Sequence, residues 1–278
     1  MTKPSDMRAP RAARGGRVLP LAFALATMLC TVSTARGEPG PVVRPVLGPE
    51  VLTYDVTVFG AHAGVTTLSA SRGKELLYYR ATLSSAGLFH SIYPIDNVAV
   101  SYIDRETFLP RRYTMETNER GLLVHYHLAF DQEKKRIQRL KWKQPPGRKG
   151  VWNDFVVTGY GGVQDMLSSL MYLRSRRLAE DETGIFYGMS GNFVYQIRYR
   201  VVDTGNTYTR VGSRSGIAVR AAVRRWDWRK RRPAGPGKGW SREVLLWFSD
   251  DDSHMPLSIE VTLFVGAVKI ILSKVETP

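Results

Sequence analysis

The chain has 278 residues, a formal net charge of +15 and a single cysteine. That length is ample for one buried core, and one cysteine excludes a disulfide-stapled scaffold. So strong a basic excess favours anionic partners over acidic ones.

The N-terminus opens with Lys3, Arg8, Arg11, Arg14 and Arg17, followed by an almost unbroken apolar run from Val18 to Val32 and then Ser33-Thr34-Ala35. A basic segment, an apolar segment and small residues in that order read as a secretory signal peptide over residues 1–35. Cleavage is expected after Ala35, with Gly37 as the second choice. The apolar run falls short of the roughly 20 residues that a spanning helix needs, so an uncleaved anchor is the less favoured alternative. Leu29 stands where a lipoprotein signal has a small residue, so Cys30 is expected to leave with the signal unlipidated. The mature chain keeps 35 basic against 24 acidic residues, or +11. The expected partners are anionic lipid, lipopolysaccharide or acidic glycan, with peripheral membrane contact. Export disfavours nucleic acid.

Residues 36–49 hold Pro39, Pro41, Pro45 and Pro49 and read as an extended leader into one domain over 50–278. Val51 to Phe59 alternates Leu52, Tyr54, Val56 and Val58 against Thr53, Asp55 and Thr57, the period of a half-buried strand. Gly60 to Gly64 reads as a turn. Strands follow through Leu77–Leu83, through Ile92–Thr117 on either side of Asp104-Arg105-Glu106, through Leu122–Phe130, and through a basic stretch ending at Lys143. Val151 to Thr158 leads to Gly159-Tyr-Gly-Gly162 and the helix. Val163 to Leu178 reads as the one clear helix, with Val163, Met166, Leu167, Leu170, Met171 and Leu178 on an apolar stripe. Asp165 in its first turn and Arg174, Arg176 and Arg177 in its last suit the helix dipole. Hairpins then resume, with turns read at Ser190-Gly191-Asn192, Gly205-Asn206, Arg229–Gly239, Asp250–His254 and Gly266. The pattern is roughly a dozen short strands with one inserted helix. It predicts a mainly β fold: a strongly curved antiparallel sheet or partly closed barrel, with the helix laid in its concave side.

Pro49-Glu-Val-Leu-Thr-Tyr-Asp-Val56 with Ala63-Gly64, then Ser101-Tyr-Ile-Asp104 with Thr107-Phe-Leu-Pro110, then Val163 to Arg174, then Trp247-Phe-Ser-Asp-Asp251 with Met255-Pro-Leu257, occur in order. Together they resemble the Domain of Unknown Function 3108 family over about residues 48–278. The resemblance implies an exported Gram-negative protein, with no established activity and no catalytic residues to carry over.

Four constellations bear on chemistry. His125 and His127 share one strand face, as a zinc site begins, but the further ligands of a closed site are missing and solvated histidines are the favoured reading. Asp250-Asp251-Asp252-Ser253-His254 reads as a turn in which side chains bond nearby backbone, since it lacks the alternating ligands and glycine of a calcium loop. Gly159-Tyr-Gly-Gly162 reads as a turn rather than an anion-binding loop. Arg224, Arg225, Trp226, Trp228, Arg229, Lys230, Arg231 and Arg232 are the candidate binding residues. Aromatic rings among cations suit a membrane interface or an anionic sugar; the alternative is a solvated hairpin tip with Trp226 turned into the core. No metal or cofactor is expected.

The expected function is a non-enzymatic envelope-binding module, its concave sheet cradling an acyl chain or another hydrophobic group. A hydrolase or transferase using Asp165, Asp250 and Asp251 is the first alternative. An outer-membrane β-barrel is the second; the basic strand from Lys134 to Lys143 argues against its lipid-facing apolar band.

Overall fold

The computed structural model describes residues 49–234, 241–263 and 266–277. Residues 1–48, where the signal peptide and nearly all of the leader are expected, and residues 235–240 of the basic loop lie outside the described residues. The chain begins with β1 (Glu50–Val58), β2 (Ala61–Arg72) and β3 (Leu76–Ser85). A short helix, α1 (Gly87–Ile92), precedes β4 (Ile95–Asp104), β5 (Pro110–Glu119), β6 (Leu122–Asp131), β7 (Arg136–Gln144) and β8 (Val151–Thr158). Next come β9 (Val163–Gln164) and the helix α2 (Met166–Arg174). β10 (Thr183–Ser190), β11 (Phe193–Thr209), β12 (Gly212–Asp227), β13 (Arg232–Pro233), β14 (Ser241–Ser249), β15 (Pro256–Leu263) and β16 (Gly266–Glu276) complete the chain.

The sixteen strands among the described residues belong to one sheet in the order β8-β7-β6-β5-β4-β3-β2-β1-β16-β15-β14-β12-β11-β10-β9, with β13 paired to β12. The pairing of β1 with β16 makes the first and last strands neighbours at its centre. The curved antiparallel sheet expected from the sequence is therefore present. One pairing departs from it: β9 runs parallel to β10. Among the described residues the sheet is not closed by backbone pairing. Its two ends meet instead through side chains, with Phe155 of β8 edge-on to Trp228 and Arg139 of β7 bonded to Asn192 in the β10–β11 turn.

Alternation along each strand sets the inside. Leu52, Tyr54, Leu77, Tyr79, Tyr126, Leu128, Val219 and Ala221 are buried, while Arg80, Gln138 and Lys269 face outward and are exposed. A membrane barrel requires an apolar band on that outer face; here the apolar side chains fill the interior.

The helix differs from the expected span. Val163 and Gln164 extend to pair with Tyr187 and Gly188. Asp165 then turns extended and caps α2, accepting from the amides of Leu167 and Ser168 while Ser168 Oγ accepts from the Asp165 amide. A cap of this kind marks a first residue, so the helix starts at Met166. It ends at Ser175, whose hydroxyl bonds Tyr172 O at 2.8 Å. Arg176 and Arg177 lie beyond it. Nor is α2 a one-sided amphipathic helix: Leu167, Ser168, Leu170, Met171, Tyr172, Leu173 and Arg174 are all buried.

Three further differences have local causes. α1 was not expected, because six residues are too few to show a helical period. Phe59 and Gly60 close the β1–β2 reversal, and Gly64 is already within β2, where a Cβ would come within 2.3 Å of Ser84 O. Gly205 and Asn206 pair with Gly216 and Ser215, so β11 runs on to a reversal at Arg210 and Val211.

Candidate functional site

The register of the sheet gives it two sets of strand ends. β1, β3, β5 and β7 begin at the first; β2, β4, β6 and β8 begin at the second. Both ends of α2 are fixed toward the first set. Arg174 is fully buried, with its guanidinium on Glu50 and on Ser253 O at 3.0 and 3.2 Å. At the other end Asp165 accepts a 2.6 Å hydrogen bond from Ser101, and Gln164 Nε2 reaches Phe108 O at 3.3 Å. The helix thus forms a floor inside the curl.

Above that floor lies a cavity of about 300 Å³. Met166, Leu167, Leu170 and Leu173 of α2 form its base. Leu68, Leu83 and Met115 line one wall, and Ile197, Val223, Leu246, Ile259 and Ile270 the other. Small residues keep it empty: Ala81, Ala99, Gly188 and Ala221 face it where larger side chains would fill it. The volume falls at the lower end of the range for small-molecule sites.

The wall is polar only in places. Toward the second strand ends stand Thr66, Asn97, Thr117 and Glu119. Asn97 Nδ2 donates to Glu119 Oε1 at 3.2 Å, and Asn97 Oδ1 accepts from the Asn118 amide at 3.1 Å. Glu119 is 4% exposed, and its Oε2 is buried without a hydrogen-bond partner. Burial raises its carboxyl above the ordinary range; Asn97 and the Tyr93 hydroxyl offset this only in part. An acceptor held in this way can receive a hydrogen bond from a hydroxyl or amide. Asp165, on the floor, is pushed up to about 6 by burial, against the pull of the Ser101 hydroxyl and the Ser168 and Leu167 amides.

The expected candidate residues fall elsewhere. Arg224, Arg225 and Trp226 are on β12, and Trp228, Arg229, Lys230 and Arg231 form the turn to Arg232 on β13. The two tryptophans face the seam where the ends of the sheet meet. Trp226 Nε1 donates to Tyr160 Oη at 2.8 Å, and its ring packs edge-on to Tyr187. Tyr160 Oη donates in turn to Trp228 O at 3.2 Å. Arg225 lies 3.6 Å over the Phe193 ring. Arg229, Lys230, Arg231 and Arg232 are exposed.

The carboxylates of the enzyme alternative do not converge. Asp165 caps one end of α2, whereas the turn carrying Asp251 meets its other end through Ser253 and Arg174. Nine helical residues put those ends about 13 Å apart. Asp251 binds its own turn, accepting from Ser249 Oγ and from the amide and hydroxyl of Ser253. His125 lies outside against Glu116 and Trp142. Among the described residues no group of three His, Cys, Asp or Glu is placed to hold a metal. The Gly162 amide is taken by Gln132 Oε1.

Glu119 and Asn97 were missed by sequence reasoning. A signal existed: both occupy inward positions of strands whose inward neighbours are Ile95, Tyr113 and Met115. A polar residue on the buried parity of a strand marks a site or a buried network.

The family model described as "Protein of unknown function (DUF3108)" matches residues 53–273. The chain belongs to this family. No curated protein matches. Among solved structures, this chain is similar to a β-barrel-like protein of the domain of unknown function DUF1849 from Brucella abortus. That match has a TM-score of 0.52 and 10% identity, covering 85% of this chain and 99% of the other. A protein with a YmcC-like fold from Bacteroides fragilis matches at a TM-score of 0.34 and 9% identity, over 84% of this chain and 99% of that one. For this member of the family, the first likeness shows the fold.

Proposed function

We propose that this family member is a non-enzymatic binding module of the cell envelope, and that its cavity holds an acyl chain or a comparable apolar group. The observation that carries this reading is the cavity itself: an apolar chamber with a helix for a floor, kept open by alanines and a glycine. A folded core otherwise closes such space, because interiors pack to near-crystalline density. Glu119 and Asn97 would bond the polar end of the ligand. The signal-peptide pattern of residues 1–35 supports export to the periplasm.

The test is uptake of 1-N-phenylnaphthylamine, a fluorescent apolar probe, with organic extraction and mass spectrometry of the purified protein. The parent should bind the probe in a vesicle-free solution, and added fatty acid should displace it. Ala99→Phe should fill the chamber and weaken probe binding about tenfold while the melting temperature holds or rises. A parent that takes up no probe and carries no lipid would overturn the reading.

A further inference from the structure

The connections at the second strand ends differ from those at the first. Residues 59–60, 86–94, 120–121, 145–150, 191–192 and 228–231 carry Arg120, Arg148, Lys149, Arg229, Lys230 and Arg231, and no carboxylate. The connections at the first strand ends are mixed in sign: Glu75, Glu106, Glu133, Asp250, Asp251 and Asp252 stand there with Lys74, Arg105, Lys134, Lys135 and Arg210. The +11 excess of the mature chain is thus unevenly placed along its strands.

Apolar side chains project at the same basic end. Leu88 is 78% exposed and Ile92 66%, both on α1; Phe59, in the β1–β2 turn, is 55% exposed. Leu88 and Ile92 are four residues apart and share a helix face. Phe89, on another side of α1, packs against the core and anchors the helix. The cations adjoin it. The Arg120 amide donates to Pro94 O just past α1, and its guanidinium lies 5.6 Å over the Tyr93 ring. The loop with Arg148 and Lys149 reaches the same turn, where a Cβ on Gly121 would meet Pro146 at 3.4 Å. Glu119 of the cavity is the residue next to Arg120. Asp96, the nearest exposed carboxylate on β4, accepts from Ser84 Oγ at 3.4 Å.

We infer that this end of the sheet docks on an anionic lipid bilayer, with Leu88, Ile92 and Phe59 entering the interface and Arg120, Arg148 and Lys149 meeting the headgroups. Apolar tips among cations without carboxylates have the chemistry of a surface-binding segment. The charge asymmetry would also orient the molecule, turning its mixed-charge strand ends away. Docking in this pose would set the Glu119 end of the cavity toward the lipid. The inference does not require the cavity to be occupied.

The experiment is co-sedimentation of the mature protein with vesicles of phosphatidylcholine alone or mixed with phosphatidylglycerol. Three variants are compared with the parent: Leu88→Glu with Ile92→Glu; Arg120→Glu with Arg148→Glu and Lys149→Glu; and, as a control of equal charge change at the other strand ends, Lys74→Glu with Arg177→Glu and Arg214→Glu. All these positions are exposed, so melting temperatures should stay near that of the parent. The parent should bind the mixed vesicles and not the neutral ones. The rim-charge variant should lose about tenfold or more in affinity, and the control much less. The leucine–isoleucine variant should lose the part of the binding that survives salt, since only the charge attraction is screened. Equal loss in the rim and control triples would reduce the effect to net charge and overturn the inference. So would a parent that ignores phosphatidylglycerol. Because probe uptake is measured without vesicles, its failure beside intact vesicle binding would sink the cavity reading and leave the docking reading standing.

Discussion

Ser101 on β4 donates a 2.6 Å hydrogen bond to the Asp165 carboxylate, 64 residues away at the first turn of α2, and both residues are fully buried. The same carboxylate caps the helix through two backbone amides. One side chain therefore both starts α2 and ties it to the sheet. Ser101→Ala should remove a charge-assisted bond and leave part of the carboxylate unsatisfied. A loss of about 1.5–3 kcal/mol in urea unfolding is expected. An unchanged midpoint would mean that the cap alone holds the helix.

Asp165 should also impose a pH dependence. Its folded pKa, about 6, lies above the unfolded value near 3.8. Between those values the folded state holds the proton more tightly, so stability falls as pH rises from about 4 to about 6. This group should add nothing to the slope above that window. The size of the fall is about 2–3 kcal/mol. Asp104 and Asp251, whose folded pKa values are lowered, act in the opposite sense: their contribution is lost as pH falls through those values. The clean measurement is therefore a difference. Asp165→Asn retains a capping oxygen and should flatten the decline between pH 4 and 6 relative to the parent. Parallel curves would refute the assignment.

The pair of Arg174 and Glu50 spans 124 residues and holds the far end of the floor. Arg174 has no exposed side-chain surface, and Glu50 retains 13%. Removing one member of a buried pair typically costs about 3–5 kcal/mol, because the other charge is left uncompensated. Arg174→Ala should melt far below the parent. Glu50→Ala in the same chain should recover part of the loss, which a double-mutant cycle would read as coupling. Strict additivity would show that the two charges act separately.

Trp226 and the cations beside it should separate in their effects. Trp226→Ala removes a ring packed on Tyr187 and a bond to Tyr160 at the seam, so it should lower stability by about 2 kcal/mol or more. Its vesicle binding should stay near that of the parent once the protein is folded. Changing Arg229, Lys230 and Arg231 to Ser should do the reverse, leaving the melting temperature and weakening binding to anionic vesicles. A Trp226→Ala protein that melts normally but no longer binds would restore the tryptophan to the interface.

Chelation should leave the fold alone. His125 engages Glu116 and Trp142 on the outer face, and Asp251 is committed to its own turn. The melting curve with EDTA should overlie the curve without it; a drop of several degrees would reveal an ion bound to the folded state.

The sequence by itself determined the alternation, and through it the inside and the outside of the sheet. Leu52, Tyr54 and Val56 had to share a face because successive side chains of a strand point to opposite sides. The export pattern, the charge and the apolar residues of α2 were equally local and legible. Tertiary structure decided what local periodicity does not encode. The start of α2 depended on Val163 and Gln164 pairing with Tyr187 and Gly188 of β10, far away in sequence, which leaves the helix to begin after the local Asp165 cap. The extent of β11 depended on Gly205 and Asn206 finding partners on β12, so a strong local turn signal was overridden by pairing. Trp226 read either as an interface residue, because its neighbours are cationic, or as turned into the core; its contacts at the seam are with Tyr160 and Tyr187, which only the curl of the sheet brings near. The cavity was the least legible feature. A void is a relation among side chains on many strands, and Ala81, Ala99, Gly188 and Ala221 become a site only when the sheet sets them around one space above α2.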